Sequence, residues 1–292
     1  MDQVQTAPVA KVGQRRPWAV FASVPFRNLW AASALSLIGD SFSYIAIAWL
    51  VLQLTGSSLA LGSVLVAQAV PRGLLMVVGG AMADRLSPRL TMLGSMGLRV
   101  ALVAPLAVLV LTGHVQMWEV YAVSFVFGIV DAFFMPARTS ILPKIVADEH
   151  LEPGNALLTV TTQATLIVGP ALAGVIVAAY GTGWAFAGDA ACFAIGSVFV
   201  LLLPRPHGGE AAAGSTDAGV GLGGEIMAGF RYAWADVRIR AALLFIASVD
   251  FAANGALGVG LPVLAHSRFG AGSVGLGVLL GCLLYTSDAA DE

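Results

Sequence analysis

The chain has 292 residues, of which 58% are hydrophobic and only 11% are charged, and its mean hydropathy is +0.86. Soluble domains carry roughly 25% charged residues, so the composition excludes an ordinary soluble domain and indicates a membrane protein. A net charge of −2 provides no basic surface, and no nucleic-acid partner is expected. Cys192, one of two cysteines, lies in an apolar run, which favours a small core residue over a disulfide or a metal ligand.

Seven apolar segments follow a polar N-terminal tail, residues 1–25, which lacks the apolar core of a signal peptide directly after its charges. Each complete segment is close to the ~20 residues that a helix needs to span ~30 Å of hydrocarbon. The segments are 29–54, 59–83, 90–112, 118–136, 156–180, 184–204 and 241–264, and an eighth begins near Gly272. The sequence therefore predicts an all-α bundle of membrane-spanning helices.

Basic residues are concentrated in alternate links between these segments. They lie before segment 1 (Lys11, Arg15, Arg16, Arg27) and between segments 2 and 3 (Arg85, Arg89), 4 and 5 (Arg138, Lys144) and 6 and 7 (Arg205, Arg231, Arg238, Arg240). The links after segments 1, 3 and 5 contain none. Because basic loops stay in the cytoplasm, we expect a multi-pass protein of the cytoplasmic (inner) membrane with a cytoplasmic N-terminus.

The longest link, 205–240, divides the chain into two membrane units. Its Gly- and Ala-rich first part indicates a flexible cytoplasmic linker, and 225–236 is typical of a short interfacial helix. We expect a six-helix bundle at 26–204 and the start of a second bundle at 241–281. A weak internal repeat, in which Phe26 and Arg27 correspond to Ile239 and Arg240, favours two parallel halves.

The last eleven residues, 282–292, interrupt the eighth segment with a polar, acidic stretch. This stretch is similar to a translated sequencing adaptor, so we expect it to be non-native and the reading frame to be truncated after about Gly281. The alternative is a naturally short membrane protein.

A short charged link joins segments 2 and 3. It resembles the loop between helices 2 and 3 of the major facilitator superfamily, whose pattern is roughly G-x-L-A-D-R-x-G-R-R/K. The matching residues are Gly80, Ala83, Asp84, Arg85 and Arg89, whereas Met82, Ser87 and Pro88 depart from the pattern. The resemblance implies a major facilitator fold, with a complete N-terminal six-helix half and the first one to two helices of the C-terminal half. It also implies that Asp84 stabilises a state closed to the cytoplasm.

Two further stretches, 55–75 and 131–146, resemble the exporter branch that includes enterobactin, macrolide and multidrug efflux proteins. In segment 5, Gly169, Pro170 and Gly174 resemble the core of the superfamily's antiporter motif, with Ala173 replacing a glycine. Pro170 removes a backbone hydrogen bond and the small residues allow close helix approach. The resemblance favours exchange of substrate for protons, although any close helix contact would use the same residues.

Ionisable residues inside the bilayer are costly and are therefore candidates for function. They are Asp40, Arg72, Arg99, Asp131, Asp189 and Asp250. Asp40 shares one helix face with Ser33, Ser36 and Ser43, flanked by Tyr44. Such a polar stripe lines a cavity or forms a hydrogen-bonding seam between helices. Thr162 of segment 5 is likewise either cavity-lining or bonded to its own backbone.

Depth along the helices predicts the charge partners. Asp40 follows Arg27 by 13 residues and Arg72 precedes Arg85 by 13, so both lie roughly 20 Å from the same face. An unpaired charge there costs at least ~2.5–3.5 kcal/mol, so we expect the two to pair. Separating the pair would let Asp40 take a proton, which makes Asp40 the proposed coupling site, with Asp250 next. The alternative is a static structural ion pair.

Asp131, taken to lie about 10 Å inside the cytoplasmic edge, is expected to join the loop charges Arg85 or Arg89, with Arg99 as a rival partner. Asp189 is expected near the outer end of segment 6, within reach of water. Both positions depend on where the helices end.

The function predicted from these features is proton-coupled export of a small molecule, such as a siderophore or drug, by alternating access. The alternative is a non-transporting receptor or scaffold. The four histidines form no ligand spacing and no catalytic constellation or P-loop is present, so no enzyme activity, metal or cofactor is expected. The partners would be the substrate, protons and the lipid bilayer, and we expect the full-length protein to be a monomer.

Overall fold

The computed structural model describes residues 17–83, 87–204, 231, 234–267 and 272–288, with the backbone alone at some positions such as 77–83 and 250–256. The described residues are helical and contain no strand, which confirms the all-α class. Six helices are long and apolar enough to cross a membrane. These are α1 (Val24–Thr55), α2 (Ser58–Ala83), α3 (Pro88–Leu111), α4 (Met117–Ile145), α5 (Leu151–Tyr180) and α6 (Thr182–Leu201). Three more follow: α7 (Val237–Gly255), α8 (Leu261–Ser267) and α9 (Gly272–Asp288).

Very short links make successive helices antiparallel. Gly56 ends α1 in the left-handed region, with φ of 63°, and its N–H donates to the Leu52 carbonyl at 2.8 Å. A glycine adopts this conformation at little cost because it has no Cβ. Gly181 alone separates α5 from α6, again with positive φ.

Helices that are neighbours in sequence are not the main packing partners. The most extensive contacts join α2 to α4, α1 to α6, α3 to α6, and α5 to α9. Buried apolar side chains such as Phe26, Ile45, Met96 and Phe193 fill the space between them. Leu59, Leu74 and other large apolar residues are exposed on the outside, as expected for surfaces that face lipid rather than water.

Helix α4 extends nine residues beyond the predicted end at Pro136 and contains both Pro136 and Pro143. Proline is tolerated inside membrane helices because neighbouring groups satisfy the backbone atoms that it frees. Consequently Arg138, predicted in a cytoplasmic link, is buried within the helix.

The seventh predicted segment is a helical run over 237–267 that is interrupted by a π-helical stretch, Ala256–Gly260. Pro262 cannot donate a hydrogen bond to the preceding turn, and the glycines at 255, 258 and 260 allow the widened backbone. The run begins at Val237, four residues inside the predicted linker. Helix α9 begins at Gly272, as predicted, and continues through 282–288.

Candidate functional site

Arg99 of α3 lies at the centre of the six-helix bundle and is fully buried. Its Nη1 donates to Asp40 Oδ1 of α1 at 3.0 Å, and its Nη2 donates to Asp131 Oδ1 of α4. Nη1 also lies 3.4 Å from the Ser36 hydroxyl. Two carboxylates from two different helices therefore offset a charge that the apolar interior would otherwise exclude.

Three aromatic rings surround the same guanidinium. Its Cζ lies 4.7 Å from the centre of the Phe127 ring, 4.9 Å from Phe134 and 4.8 Å from Phe193. Phe127 and Phe134 flank Asp131 along α4 at helical spacing, so one face of that helix supplies both aromatic faces and a carboxylate. Cation–π attraction adds to the ion pairs at this desolvated position.

Arg72 of α2 completes the group, with Nη1 3.7 Å from Asp131 Oδ2. We call Asp40, Arg72, Arg99 and Asp131 the buried charge cluster. Its two acids and two arginines balance. Arg99 at the centre of the cluster has no exposed surface. The side chains of Arg72 and Asp40, at its two ends, are 47% and 34% exposed.

Close packing of α2 on α4 brings Arg72 to Asp131. At Gly128 an added Cβ would collide with the Gln68 carbonyl oxygen, so the two backbones touch there. The helices run parallel, since one antiparallel helix separates them in the chain. One turn beyond the contact, Arg72 on α2 therefore meets Asp131 on α4.

The prediction that Asp40 pairs with Arg72 is wrong. Both residues belong to the buried charge cluster, but Asp40 pairs with Arg99 and Arg72 pairs with Asp131. The prediction assumed that α1 packs on α2, whereas α1 packs mainly on α6 and α5, and α2 packs mainly on α4.

The predicted pairing of Asp131 with Arg85 or Arg89 is also wrong, and its rival partner Arg99 is the one that the structure has. Because α4 ends at Ile145, Asp131 lies 14 residues, or about 21 Å, from that end, which is mid-membrane depth. Arg89 instead donates to the carbonyl oxygens of Val200 at 3.3 Å and Leu201 at 2.7 Å, capping α6.

Other predicted residues of the loop and of the second unit can be placed only in part. Asp84 and Arg85 lie outside the described residues, and Gly80 lies in the described backbone of α2. The backbone of Asp250 is part of α7, but its side chain lies outside the described residues.

Ser36 and Ser43 of the serine stripe of α1 form hydrogen bonds to other helices, as in the second of the two alternatives. Ser33, Ser36 and Ser43 are buried. Ser36 faces Arg99, and Ser43 donates to Asp189 Oδ2. Tyr44 beside the stripe is partly exposed, and its hydroxyl faces Gly258 in the π-helical stretch.

Thr162 of α5 hydrogen-bonds to its own backbone, the second of the two alternatives, and it also contacts α4. Its hydroxyl donates to the Leu158 carbonyl of its own helix at 2.9 Å and accepts a hydrogen bond from Arg138 Nη2 at 3.2 Å. The buried guanidinium of Arg138 is therefore held between α4 and α5.

Asp189 of α6 was expected to reach water but is fully buried, because α1 packs directly over it. The sequence predicts Arg99 as a partner of Asp131 only in second place. The spacing of Phe127, Asp131 and Phe134 on α4 is the signal that could have pointed to a buried cation.

The antiporter-like motif of α5 packs against α9. An added Cβ at Gly174 would collide with the Ser273 carbonyl oxygen, and one at Gly277 with the Pro170 carbonyl oxygen. The Ser273 hydroxyl donates to the Gly174 carbonyl at 2.9 Å. The motif therefore joins the six-helix bundle to the last helix through backbone contact.

Six helices long and apolar enough to cross a membrane, with a balanced set of acids and arginines between four of them, are consistent with the fold of the major facilitator superfamily. A model of the transmembrane secretion effector family of that superfamily matches residues 15–286, and the chain belongs to this family. The resemblance drawn from the sequence is thereby confirmed. The relatives described next are named as transporters and efflux pumps.

Three curated proteins are similar to this chain over part of their length. The multidrug efflux pump Tap of Mycolicibacterium fortuitum is 30% identical over 226 residues, which are 74% of this chain and 53% of Tap. The uncharacterized MFS-type transporter YfiS of Bacillus subtilis (strain 168) is 26% identical over 62% of this chain and 44% of its own length. Macrolide efflux protein A of Streptococcus pyogenes is 25% identical over 63% and 46%. The chain therefore spans about half the length of these curated relatives.

Proposed function

We propose that this chain is the N-terminal part of a proton-coupled exporter that moves a small molecule across the cytoplasmic membrane by alternating access. The observation that carries the proposal is the buried charge cluster, in which four helices contribute two acids and two arginines at mid-membrane depth. Ionisable groups at this depth are typical of proton relays. Efflux relatives favour export over a receptor or scaffold role and favour a drug-like substrate, with a siderophore as the second class.

Asp40 is the proposed coupling residue. Arg99 holds it as a carboxylate while the two are paired, and its partial exposure leaves a route for water. A motion of α1 relative to α3 that lengthens this pair would leave Asp40 poorly compensated, so it would take up a proton. Asp131 stays with Arg99 and so keeps the buried guanidinium partly neutralised during the exchange.

We propose that Arg72 of α2 separates from Asp131 during the same motion. Its side chain is exposed, so it can turn away from Asp131 without leaving a charge buried. Asp250 would be the candidate for proton coupling in the second half. Tyr44 and Thr162, which are not fully buried, would line the path of the substrate. Protonation of Asp40 would thus reset the two halves.

Gating is proposed to use the motifs at the helix ends and between the halves. Gly80, Asp84 and Arg85 would stabilise the state closed to the cytoplasm, with Arg89 tying α3 to α6 beside them. The crossing of α5 on α9 would be the contact on which the halves rock. In this proposal 1–25 and 205–240 are cytoplasmic, 26–204 is the complete first half, and 241–281 begins a second half that further helices complete.

The test is Asp40→Asn in the full-length protein, reconstituted in liposomes with a pH gradient and a macrolide as the probe. We expect loss of uphill export, with macrolide binding and downhill exchange retained, because Asn cannot carry a proton. Glu152→Gln, an exposed acid in the first turn of α5, is the control and should export normally. Uphill export by Asp40→Asn with unchanged pH dependence would remove Asp40 from the coupling role and leave Asp250 to be tested.

A further inference from the structure

Asp189 is a buried acid that the proposed mechanism does not use. It lies on α6, fully buried, and its Oδ2 accepts a hydrogen bond from the Ser43 hydroxyl. Its Oδ1 is also buried and has no hydrogen-bond partner. An acid in this position is either a large unfavourable charge or a neutral group that holds a proton.

The surface of α1 is shaped to receive this carboxyl. Gly39 faces Oδ1, and a Cβ at that position would lie 2.5 Å from it. Ser43, one turn further along α1, supplies the hydroxyl to Oδ2. A notch and a donor on one helix face thus form a site that fits a carboxyl group and excludes water.

Asp189 forms no ion pair with a cation in the part of the chain that the structure describes. Among the described residues, the ion pairs of the bundle are those of Arg72 and Arg99 with Asp40 and Asp131. The charged groups that face Asp189 are Asp40 on α1 and Arg99 on α3, and Arg99 is already shared by two acids.

The remaining neighbours of Asp189 supply no positive charge. Helix α5 carries no titratable side chain between Pro153 and Ala179, and the titratable neighbour on α6 is Cys192. An ionised Asp189 would therefore add an uncompensated negative charge to a cluster that is already balanced.

We propose that Asp189 is a second proton-binding site of the bundle, neutral in the conformation described, and that its protonation is linked to that of Asp40. The two acids are close together, since Asp189 packs against Gly39 of α1 and Asp40 is the next residue of that helix. Two carboxyls this close disfavour each other's charge. When Asp40 binds a proton and α1 moves away from α3, the Asp189 O–H bond can break. Its proton passes to water that this motion admits, and its carboxylate faces Arg99 Nη1, which Asp40 has left, while Asp131 stays paired with Nη2.

Alternation of protons between Asp40 and Asp189 rests on the proposed function, but the proton on Asp189 can be measured without transport. Infrared spectra of the 292-residue chain in lipid nanodiscs resolve the carbonyl stretch of a protonated carboxylic acid from carboxylate and amide bands. At neutral pH we expect such a band in the wild type and its loss in Asp189→Asn. In Asp40→Asn we expect the band to be weaker at this pH and to return to full intensity on acidification. Absence of the band in the wild type, or its persistence in Asp189→Asn, would overturn the assignment.

Linkage is tested by an alkaline titration of the same band. In Asp40→Asn the negative neighbour is gone and Arg99 has lost one acid, so the band should disappear at a lower pH than in the wild type. An unchanged titration would refute the linkage. Ser43→Ala provides a check that does not depend on substituting Asp189: the frequency of the band should shift, because the carbonyl oxygen loses its donor, and an unshifted band would contradict the geometry.

These outcomes separate the two proposals. Failure of proton-driven export in the full-length protein, with the infrared band present, would reject the transport mechanism and retain the proton on Asp189. Absence of the infrared band, with proton-driven export that still depends on Asp40, would reject the proton on Asp189 and retain the transport mechanism.

Discussion

Replacing Asp131 by Asn removes one of the two acids that neutralise Arg99. The guanidinium has no exposed surface, and the remaining carboxylate, Asp40, is 34% exposed and contacts it through Nη1 alone. Breaking a buried ion pair by removing one partner typically costs about 3–5 kcal/mol, because a charge is left without compensation. Since Asp131 also pairs with Arg72, we place Asp131→Asn within that range rather than below it.

The double variant Arg99→Met/Asp131→Asn separates loss of charge balance from loss of packing. Methionine keeps much of the volume between Phe127, Phe134 and Phe193 and carries no charge. Asp40 is partly exposed and can be hydrated or take a proton once Arg99 is gone. The double variant should therefore be more stable than Asp131→Asn alone, by at least about 1 kcal/mol.

The assay is the free energy of unfolding of each variant in mixed micelles, obtained by titration with a denaturing detergent. Arg89→Met is the matched arginine control, because Arg89 only caps α6 at the membrane edge. It should cost about 0.3–1 kcal/mol. If Asp131→Asn matched the wild type, or if the double variant lost more than the sum of its single variants, the argument from buried charge would be refuted.

Two further predictions concern the gating motifs. Asp84→Asn in the full-length protein should lower export while expression and membrane insertion stay near normal, and unchanged export would reject the gate role of the loop. Gly174→Ala should destabilise the contact between α5 and α9 by about 1–3 kcal/mol, because the added Cβ collides with the Ser273 carbonyl oxygen, whereas Gly73→Ala, which has open space, should stabilise its helix by up to about 1 kcal/mol. Equal stability of the two alanine variants in the same detergent titration would contradict the crossing.

The positions of the spans were predictable from sequence, because each crossing helix needs a long apolar run to satisfy its backbone inside lipid. The second segment, predicted at 59–83, is Ser58–Ala83, and the third, predicted at 90–112, is Pro88–Leu111. The main error in length, at α4, came from treating Pro136 as a helix end. In a soluble protein a proline usually ends or kinks a helix. Within a membrane, a helix can continue through a proline.

Depth along α1 and α2 was also predictable, since it depends on residue count and rise once the helix ends are known. Asp40 and Arg72 do belong to one mid-membrane cluster, as counting suggested. Their partners were not predictable from one chain, because chain order does not say which helices touch.

Tertiary structure decided the pairing. Packing of α2 on α4 places Arg72 beside Asp131, and packing of α1 on α6 buries Asp189 against Gly39. Apolar runs and charge spacing are local properties that each helix carries alone, whereas an ion pair requires two helix faces to meet, and that depends on which surfaces pack most closely across the whole bundle.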